Sequence, residues 1–541
     1  MSRAGVARAA VVVAGITILA RVVGFGRWLV FSKTVGAGCL ADAYTTANQL
    51  PNVLFEIVVG GALAGAVIPV LAGPVARGDR AAQGRIVGAL LTWSVLLLAP
   101  VAAVAWLLAG GYADLMLDGC PGAAATAARM LAIFVPQVFG YAVAVVATAV
   151  LQSHGRFAAG ALAPLVSSLV VVATYVAFAG RAPRADAASR GAVDLLAWGT
   201  TLGVVALAAT VLVPMLALRL PVRPVLRLDP GVGPVLRRLA LAGLAVLVAQ
   251  QLTFVVVTYL ANHRGVDGSV AVYTWAYAIY LLPFAVLTQP LTTAVFPQLA
   301  AKHQDAGPEG AFQRLAAGST QAVLYAGGLG AALLAGTALP VARVFAYDDG
   351  LVREATASSL SDALVAFAPG LLGFAVLMHV GRVLYAGHAG RPVAVVTTAA
   401  WMVAAVAAVV LTTWLDGVDV VAGLAAAVSL GMVAGGVVIM RAVRRIAGAE
   451  AVGGVPKALV RTSVAGVVAA FAGYVVGSPA DDGSILGDWV AGWSGGALGG
   501  VVFAGLSALV VAGGFTFVLR LLGGPALHVS LRALMRRKGV T

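Results

Sequence analysis

The sequence has little charge and no long polar segment. Only 10% of its 541 residues are Asp, Glu, Lys or Arg, whereas 61% are hydrophobic, and the mean hydropathy is +0.99. This composition lies outside the range of water-soluble domains. Apolar runs long enough to cross a bilayer recur from end to end, and no polar block could form a separate core. We therefore predict an all-α polytopic membrane protein in which one membrane domain fills the chain.

Motifs for catalysis are also missing. The sequence contains no phosphate-binding GxxxxGK[ST] loop, no His/Cys cluster with metal-ligand spacing and no plausible nucleophilic triad. We therefore expect a protein that is not an enzyme and that holds no cofactor or metal. ATP bound to this chain alone cannot power transport. The net charge of +14 would suit nucleic acid, but the basic residues fall mostly on one side of the predicted spans, so no nucleic-acid partner is expected.

Cysteine is scarce. The two cysteines, Cys39 and Cys120, both fall in predicted outer loops, where an oxidising compartment would permit a disulfide. The alternative is two unrelated thiols, and the sequence leaves both open.

Apolar runs of about 20 residues predict fourteen membrane helices. They divide the chain into an N-lobe (1–220, helices 1–6), a C-lobe (221–445, helices 7–12) and a last part with helices 13 and 14 and a basic tail (446–541). The predicted helices are 9–34, 42–76, 86–110, 124–151, 158–180, 194–218, 235–262, 270–300, 315–344, 358–386, 391–415, 419–441, 456–477 and 495–522.

The loop charges predict the orientation. With the N-terminus inside, most of the 35 Lys and Arg residues lie in inner loops, and the outer loops are acidic. Because cytoplasmic loops carry the excess of basic residues, both termini are expected in the cytoplasm. The basic tail around Arg536 and Arg537 fits that side, where anionic membrane lipids attract cations.

An internal repeat connects the two lobes. FVPQVFGYAV at 134–143 resembles FAPGLLGFAV at 367–376, and QLPNVL with VIPVLA resembles LLPFAV with VFPQLA about 230 residues later. A unit repeated after six spans keeps its orientation, so the two copies are expected to be related by an axis along the membrane normal. This is transporter architecture, and it predicts alternating access by rocking of the lobes.

Two arginines and one glutamate lie within the predicted spans of the stretch from Arg21 to Ala72. Arg21 and Arg27 are suited to a diphosphate, because the guanidinium group stays charged and forms bidentate hydrogen bonds. The alternatives are snorkelling of Arg27 and a salt bridge from Arg21 to Glu56. Glu56 would otherwise bind a coupling proton or cation. Residues with amide side chains are further candidates for substrate binding. They are Asn52 near Glu56, together with Asn48 and Gln49, and in the matching helix of the second half Gln250 and Gln251.

Several segments resemble the MurJ/MviN family of lipid II flippases, which belongs to the multidrug/oligosaccharidyl-lipid/polysaccharide exporter superfamily. ARVVGFGR at 20–27 resembles the family's opening SR-x-x-GF-x-R motif. The FEIVVGG segment and the excess of Arg over Lys resemble an actinobacterial branch. Further similar segments are GAGCLADAY, LPNVLFEIVVGGAL, VIPVLA, VLQSHGRFAAGALAP, LLPFAVLTQPLTTAVFPQLA and RVLYAGHAGRP.

The resemblance implies a flippase that moves undecaprenyl-diphosphate-linked peptidoglycan precursor (lipid II) from the inner to the outer leaflet of the cytoplasmic membrane. It implies that Arg21 and Arg27 lie near the diphosphate, that Asp42 is important, and that the last two helices shape a groove for the lipid tail. It allows for coupling to the membrane potential or an ion gradient, and for contacts with cell-wall synthesis proteins. Phe55 and Ala278 stand where well-known members have further arginines.

Three alternatives remain at this stage. The first is export of another polyprenyl-linked saccharide by the same architecture. The second is ion-coupled drug antiport, in which Glu56 would be the coupling acid. The third is a scaffold for envelope synthesis that transports nothing, and that would tolerate neutralisation of both Arg21 and Arg27.

Overall fold

The structure is a computed structural model, and it describes residues 3–57, 67–117, 120–182, 185–226, 232–304, 310–346, 351–478 and 497–524. In these ranges the regular structure is helical, apart from one isolated bridge between Gly265 and Gly417. Twelve helices there are long and apolar enough to cross a membrane, or thirteen if one bent pair counts as a span. The predicted all-α polytopic membrane fold is confirmed.

The chain divides into two compact units, Met1–Gln251 and Leu252–Thr541. The predicted limits at 220 and 445 stay predictions. The helices of the first unit are α1 (Arg3–Thr34), α2 (Cys39–Phe55), α3 (Val67–Ala76), α4 (Arg80–Leu107), α5 (Ala109–Met116), α6 (Ala123–Phe134), α7 (Gln137–Ser153), α8 (Ala158–Ala179) and α9 (Arg190–Leu216), and α10 (Val232–Arg264) crosses the limit between the units.

In its described residues the second unit continues with helices of 8 to 36 residues. They are α11 (Ser269–Pro283), α12 (Gln289–Gln304), α13 (Ala311–Gly336), α14 (Ala338–Phe345), α15 (Leu351–Ala386), α16 (Gly390–Thr412), α17 (Val420–Ile446), α18 (Val455–Gly477) and α19 (Ala497–Leu521). A π-helix, Phe284–Thr288, joins α11 to α12. A bend of 58° separates α13 from α14.

Within the described residues three predicted spans are interrupted, and two of them, 86–110 and 315–344, break at Leu108 and at Thr337. The span predicted at 124–151 is broken at Val135 and Pro136, between α6 and α7. Proline supplies no backbone N–H, so the helical hydrogen-bond ladder ends there easily. The matching Pro369 lies inside the continuous helix α15, so proline alone does not decide the break. In the span predicted at 42–76, α2 and α3 form the two ends, and 58–66 lie outside the described residues.

Both copies of the repeat contain a π turn after the matching proline. In the first unit Glu56 and Ile57 are π-helical, five residues after Pro51. In the second unit the π-helix Phe284–Thr288 follows Pro283 directly. Because π turns are rare and frequently lie at functional sites, this shared irregularity supports both the repeat and the choice of this region as the site.

Small residues bring the helices of each unit close together. A Cβ atom on Gly199 of α9 would lie 2.2 Å from Cγ2 of Thr174 in α8, and one on Gly373 of α15 would lie 2.6 Å from the backbone of Met432 in α17. Membrane helices associate through such close packing, since lipid offers no hydrophobic driving force between them. These contacts hold α8 against α9, and α15 against α17.

A disulfide joins Cys39 to Cys120, with their Cα atoms 5.8 Å apart. It ties the start of α2 to the segment just before α6. Of the two possibilities that the sequence left open, the structure has the bonded one.

Candidate functional site

Arg27 lies on α1 and is half-buried in the first unit. Its Cζ atom lies 5.0 Å from the ring centroid of Trp28, a cation–π distance. Within the described residues the buried Nε of Arg27 has no hydrogen-bond partner. A buried guanidinium N–H without an acceptor is costly, so this group is prepared to bind an anion.

The charge of Arg27 acts on three tyrosines from three other helices, which are Tyr44 of α2, Tyr141 of α7 and Tyr175 of α8. The hydroxyl of Tyr44 lies 3.0 Å from the hydroxyl of Tyr175 and 3.0 Å from Oγ1 of Thr200 in α9. These hydrogen bonds fix the rings of Tyr44 and Tyr175. We call Arg27, Tyr44, Tyr141 and Tyr175 the Arg27 cluster.

Amide side chains of α2 add unpaired acceptors to this region. The Nδ2 group of Asn52 donates to the backbone oxygen of Asn48, at 2.8 Å. The side-chain oxygens of Asn48 and Gln49 are buried without a donor in the described part of the chain. Because buried polar atoms are normally hydrogen-bonded, these oxygens mark a place where a ligand would supply donors.

Phe55 stands where the family resemblance places an arginine. Its ring packs on the ring of Tyr141, with the centroids 4.8 Å apart. An aromatic contact therefore takes the place of a second cation, and it connects the end of α2 to the Arg27 cluster through Tyr141.

Glu56 is half-buried in the π turn that follows α2. Within the described residues no ion pair joins Glu56 to a basic side chain, so the salt bridge to Arg21 that the sequence allowed is not found. Arg21 itself is exposed on α1, which continues as one helix through Gly24 and Gly26.

The remaining predicted residues lie outside the Arg27 cluster. Asp42 is buried in the first turn of α2. On α10, Gln250 is half-buried and Gln251 is buried. In the described ranges no hydrogen bond joins either glutamine to the Arg27 cluster. The roles of these residues stay predictions.

The sequence points to only one of the three tyrosines. Tyr141 has a visible signal, because it occupies the aromatic position of the repeated segment, where the second copy has Phe374. Phe374 also lies in an aromatic cluster, since its ring is 4.7 Å from that of Phe284. Tyr44 and Tyr175 have no such signal, because they meet only when α2 and α8 pack together.

The aromatic residues of α11 do not form an interfacial belt. Tyr273, Trp275 and Tyr280 are buried, and the ring of Tyr280 stacks on that of Phe367 at 4.7 Å. A belt would expose these rings to lipid headgroups. Burial of these three rings therefore excludes a belt formed by them.

The helical fold and an anion-ready arginine within it define a polytopic membrane transporter. Solved structures share the fold. One described as "Lipid II flippase MurJ, inward closed conformation" aligns with a TM-score of 0.72 over 93% of this chain and 98% of its own, at 15% identity. A multidrug resistance MATE family transporter of the MOP superfamily aligns at 0.66, over 81% of this chain and 98% of its own, at 14% identity.

Sequence relatives narrow the class to a family. The family model described as "Lipid II flippase MurJ" matches residues 31–481, so the chain belongs to this family. It is 28% identical to the lipid II flippase MurJ of Burkholderia cenocepacia, over 70% of this chain and 73% of that protein. It is 26% identical to a probable lipid II flippase MurJ of Vibrio cholerae, over 71% and 72%. The predicted family is confirmed.

Proposed function

We propose that this protein moves lipid II from the inner to the outer leaflet of the cytoplasmic membrane by alternating access. Membership in the lipid II flippase family supports the substrate, and the buried Nε of Arg27, which has no hydrogen-bond partner in the described residues, is the observation that carries the site. The protein acts by binding and releasing a lipid, with no bond made or broken.

The diphosphate of the substrate binds Arg27. A phosphate oxygen accepts from Nε, which removes the cost of that unpaired donor, and Trp28 keeps the other face of the guanidinium group out of water. The oxygens of Asn48 and Gln49 accept from sugar hydroxyls or peptide N–H groups of the headgroup. Arg21 and Asp42 contribute from the same two helices, and the membrane potential or an ion gradient drives the cycle.

Both termini lie in the cytoplasm in this proposal. The disulfide between Cys39 and Cys120 supports that orientation, because disulfides persist on the oxidising side of the membrane. The basic inner loops give the same orientation independently. A membrane-impermeant thiol reagent should label these cysteines in intact cells after mild reduction. Labelling only after cell lysis would place the two cysteines on the cytoplasmic side and contradict the proposed orientation.

Complementation tests the function. In a strain depleted of its own flippase, we expect the wild-type chain to restore growth and to clear accumulated lipid II. Arg27→Gln should fail, and Arg27→Lys should restore function in part, because it keeps the charge but loses the planar fork. Arg181→Gln is the matched control, since Arg181 is an exposed arginine of the same unit.

The outcomes of this test distinguish the proposed function from the other candidate functions. Full clearance of lipid II by the Arg27→Gln variant would show that Arg27 does not bind the substrate. A wild-type protein that inserts correctly but does not clear lipid II would favour export of another polyprenyl-linked saccharide.

Drug antiport is the second candidate, because Glu56 lacks an ion-pair partner among the described residues. An acid at membrane depth is costly and usually functional. In that case Glu56→Gln would abolish drug resistance in cells that overproduce the protein, and lipid II clearance would be unaffected.

A further inference from the structure

A histidine and an arginine lie one turn apart in α15 of the second unit. His379 is 1% exposed, and Arg382 is half-buried. Residues three positions apart share one face of a helix, and the charge of Arg382 acts electrostatically on His379. Polar groups of this kind are expensive within a membrane segment, so their presence needs a cause.

Threonines of α12 hold Arg382 in place. Its Nη1 group donates to Oγ1 of Thr292 at 2.7 Å and to Oγ1 of Thr293 at 3.0 Å. Both hydroxyls donate to the backbone oxygen of Gln289, at 2.9 Å and 2.8 Å, so they are acceptors toward the arginine. The hydroxyls therefore orient the guanidinium group but bring no negative charge.

The charge of Arg382 is not neutralised by a carboxylate in the described part of the chain. The contacts to the threonines use only Nη1. The edge formed by Nε and Nη2 remains available, and this edge has the geometry that binds two oxygens of one anion.

His379 has one nitrogen bonded and one unpaired. Its Nε2 lies 3.1 Å from Oγ of Ser319 in α13, whereas Nδ1 is buried without a partner within the described ranges. Oγ of Ser319 donates its one proton to the backbone oxygen of Ala316, at 3.1 Å, so it accepts from Nε2–H and the neutral ring leaves Nδ1 as an acceptor. A hydroxyl of a bound headgroup would satisfy Nδ1, the one polar atom of the ring that has no partner within the described ranges.

The internal repeat shows that the fold does not require this pair. In the register that aligns the repeated segments, Val146 and Ala149 of α7 match His379 and Arg382. Both are buried apolar residues, 0% and 5% exposed. The same position in the same helix is therefore filled by ordinary packing in the first unit, and the polar pair is a property of the second unit alone.

We propose that His379 and Arg382 form an anion site for a phosphate group, with Arg382 oriented by Thr292 and Thr293. The site lies in the second unit, and it does not depend on the function proposed for Arg27. Phosphate is the ligand class because it offers several acceptor oxygens to the free guanidinium edge, while a hydroxyl of the same headgroup can donate to Nδ1. Two sources share this chemistry: the headgroup of an anionic phospholipid, and the diphosphate of a lipid-linked saccharide.

Native mass spectrometry of the full-length protein in micelles tests the proposal. The protein is equilibrated with phosphatidylglycerol, with undecaprenyl diphosphate, or with phosphatidylcholine as the zwitterionic reference. We expect Arg382→Gln to reduce retention of at least one of the two anionic lipids by about tenfold, as loss of a charged hydrogen bond predicts. The Thr292→Val/Thr293→Val double variant should bind less well than wild type but better than Arg382→Gln.

The controls separate binding from folding. Arg444→Gln removes an exposed arginine at the end of α17 in the same unit, and it should retain both lipids as wild type does. Arg382→Lys keeps the charge and should bind at an intermediate level, which keeps the test valid if Arg382→Gln misfolds.

Dependence of phosphatidylglycerol retention on Arg382 would identify a phospholipid headgroup as the source. If only the retention of undecaprenyl diphosphate depends on Arg382, the source is a lipid-linked diphosphate. If Arg382→Gln and Arg382→Lys retain both anionic lipids as wild type does, or if wild type retains neither above phosphatidylcholine, the anion site does not exist.

Discussion

Removal of the disulfide between Cys39 and Cys120 should destabilise the first unit by a limited amount. The perturbation is the double variant Cys39→Ser/Cys120→Ser, which keeps the size of both side chains. The bond closes a loop with a sequence separation of 81 residues. For a chain that unfolds completely in water, loop-closure entropy for a loop of this length gives about 4.5 kcal/mol.

The membrane environment makes the expected loss of stability smaller than this loop-closure value. Most residues between the two cysteines belong to α2, α3, α4 and α5, which stay helical when a membrane protein loses its tertiary packing. The flexible part of the loop is then short, and the unfolded state has less entropy to lose. We therefore expect a loss of about 2 kcal/mol in the free energy of unfolding.

Denaturation by dodecyl sulfate in mixed micelles, followed by tryptophan fluorescence, measures this loss. The double variant should unfold at a lower detergent fraction than wild type, and reductant should shift wild type to the same midpoint. Reductant should leave the double variant unchanged, which controls for effects elsewhere. Identical midpoints for wild type and the double variant would refute the reasoning, and a loss near 4.5 kcal/mol would show that the intervening helices also unfold.

Three further predictions concern packing and charge. Gly199→Ala places a Cβ 2.2 Å from a side chain of α8, so it should lower the free energy of unfolding by about 1–3 kcal/mol. Gly191→Ala is the control, because nothing lies within 4 Å of the added Cβ, and it should change the free energy of unfolding little in the same assay. Asp194→Asn removes the carboxylate that accepts two hydrogen bonds of 2.6 Å from Arg129, but the side chain of Arg129 is 51% exposed and that of the half-buried Asp194 is 30% exposed. The loss should therefore be at most about 1 kcal/mol, and 3 kcal/mol would contradict this estimate. Phe55→Leu removes a ring contact of 4.8 Å with α7. It should cost about 1 kcal/mol of stability and leave more lipid II clearance than Arg27→Gln does, and a complete loss of clearance would give Phe55 a direct role.

The sequence predicts the spans well because hydropathy alone sets them. Lipid requires every backbone polar group to bond internally, so an apolar run of sufficient length becomes a helix with few alternatives. The interruptions are harder to predict. Pro136 ends a helix and Pro369 does not, although they occupy matching positions, because the outcome depends on what packs around each proline.

The candidate site was predictable only in part. Arg27 stands out in the sequence because a charge in an apolar run is rare. Its partners do not stand out, since Tyr44 and Tyr175 are 131 residues apart and meet through tertiary packing. The burial of Tyr280 likewise depends on the neighbours of α11.

The π turns after Pro51 and Pro283 lie in the same region of the two copies, but in the described residues they overlap at only one aligned position. One turn begins five residues after its proline and the other follows its proline directly. The copies also differ in length there, with 18 residues from Pro51 to Pro69 and 14 from Pro283 to Pro297. The difference is close to one helical turn, about 3.6 residues. The two copies therefore share an irregular helix in this region without sharing its register.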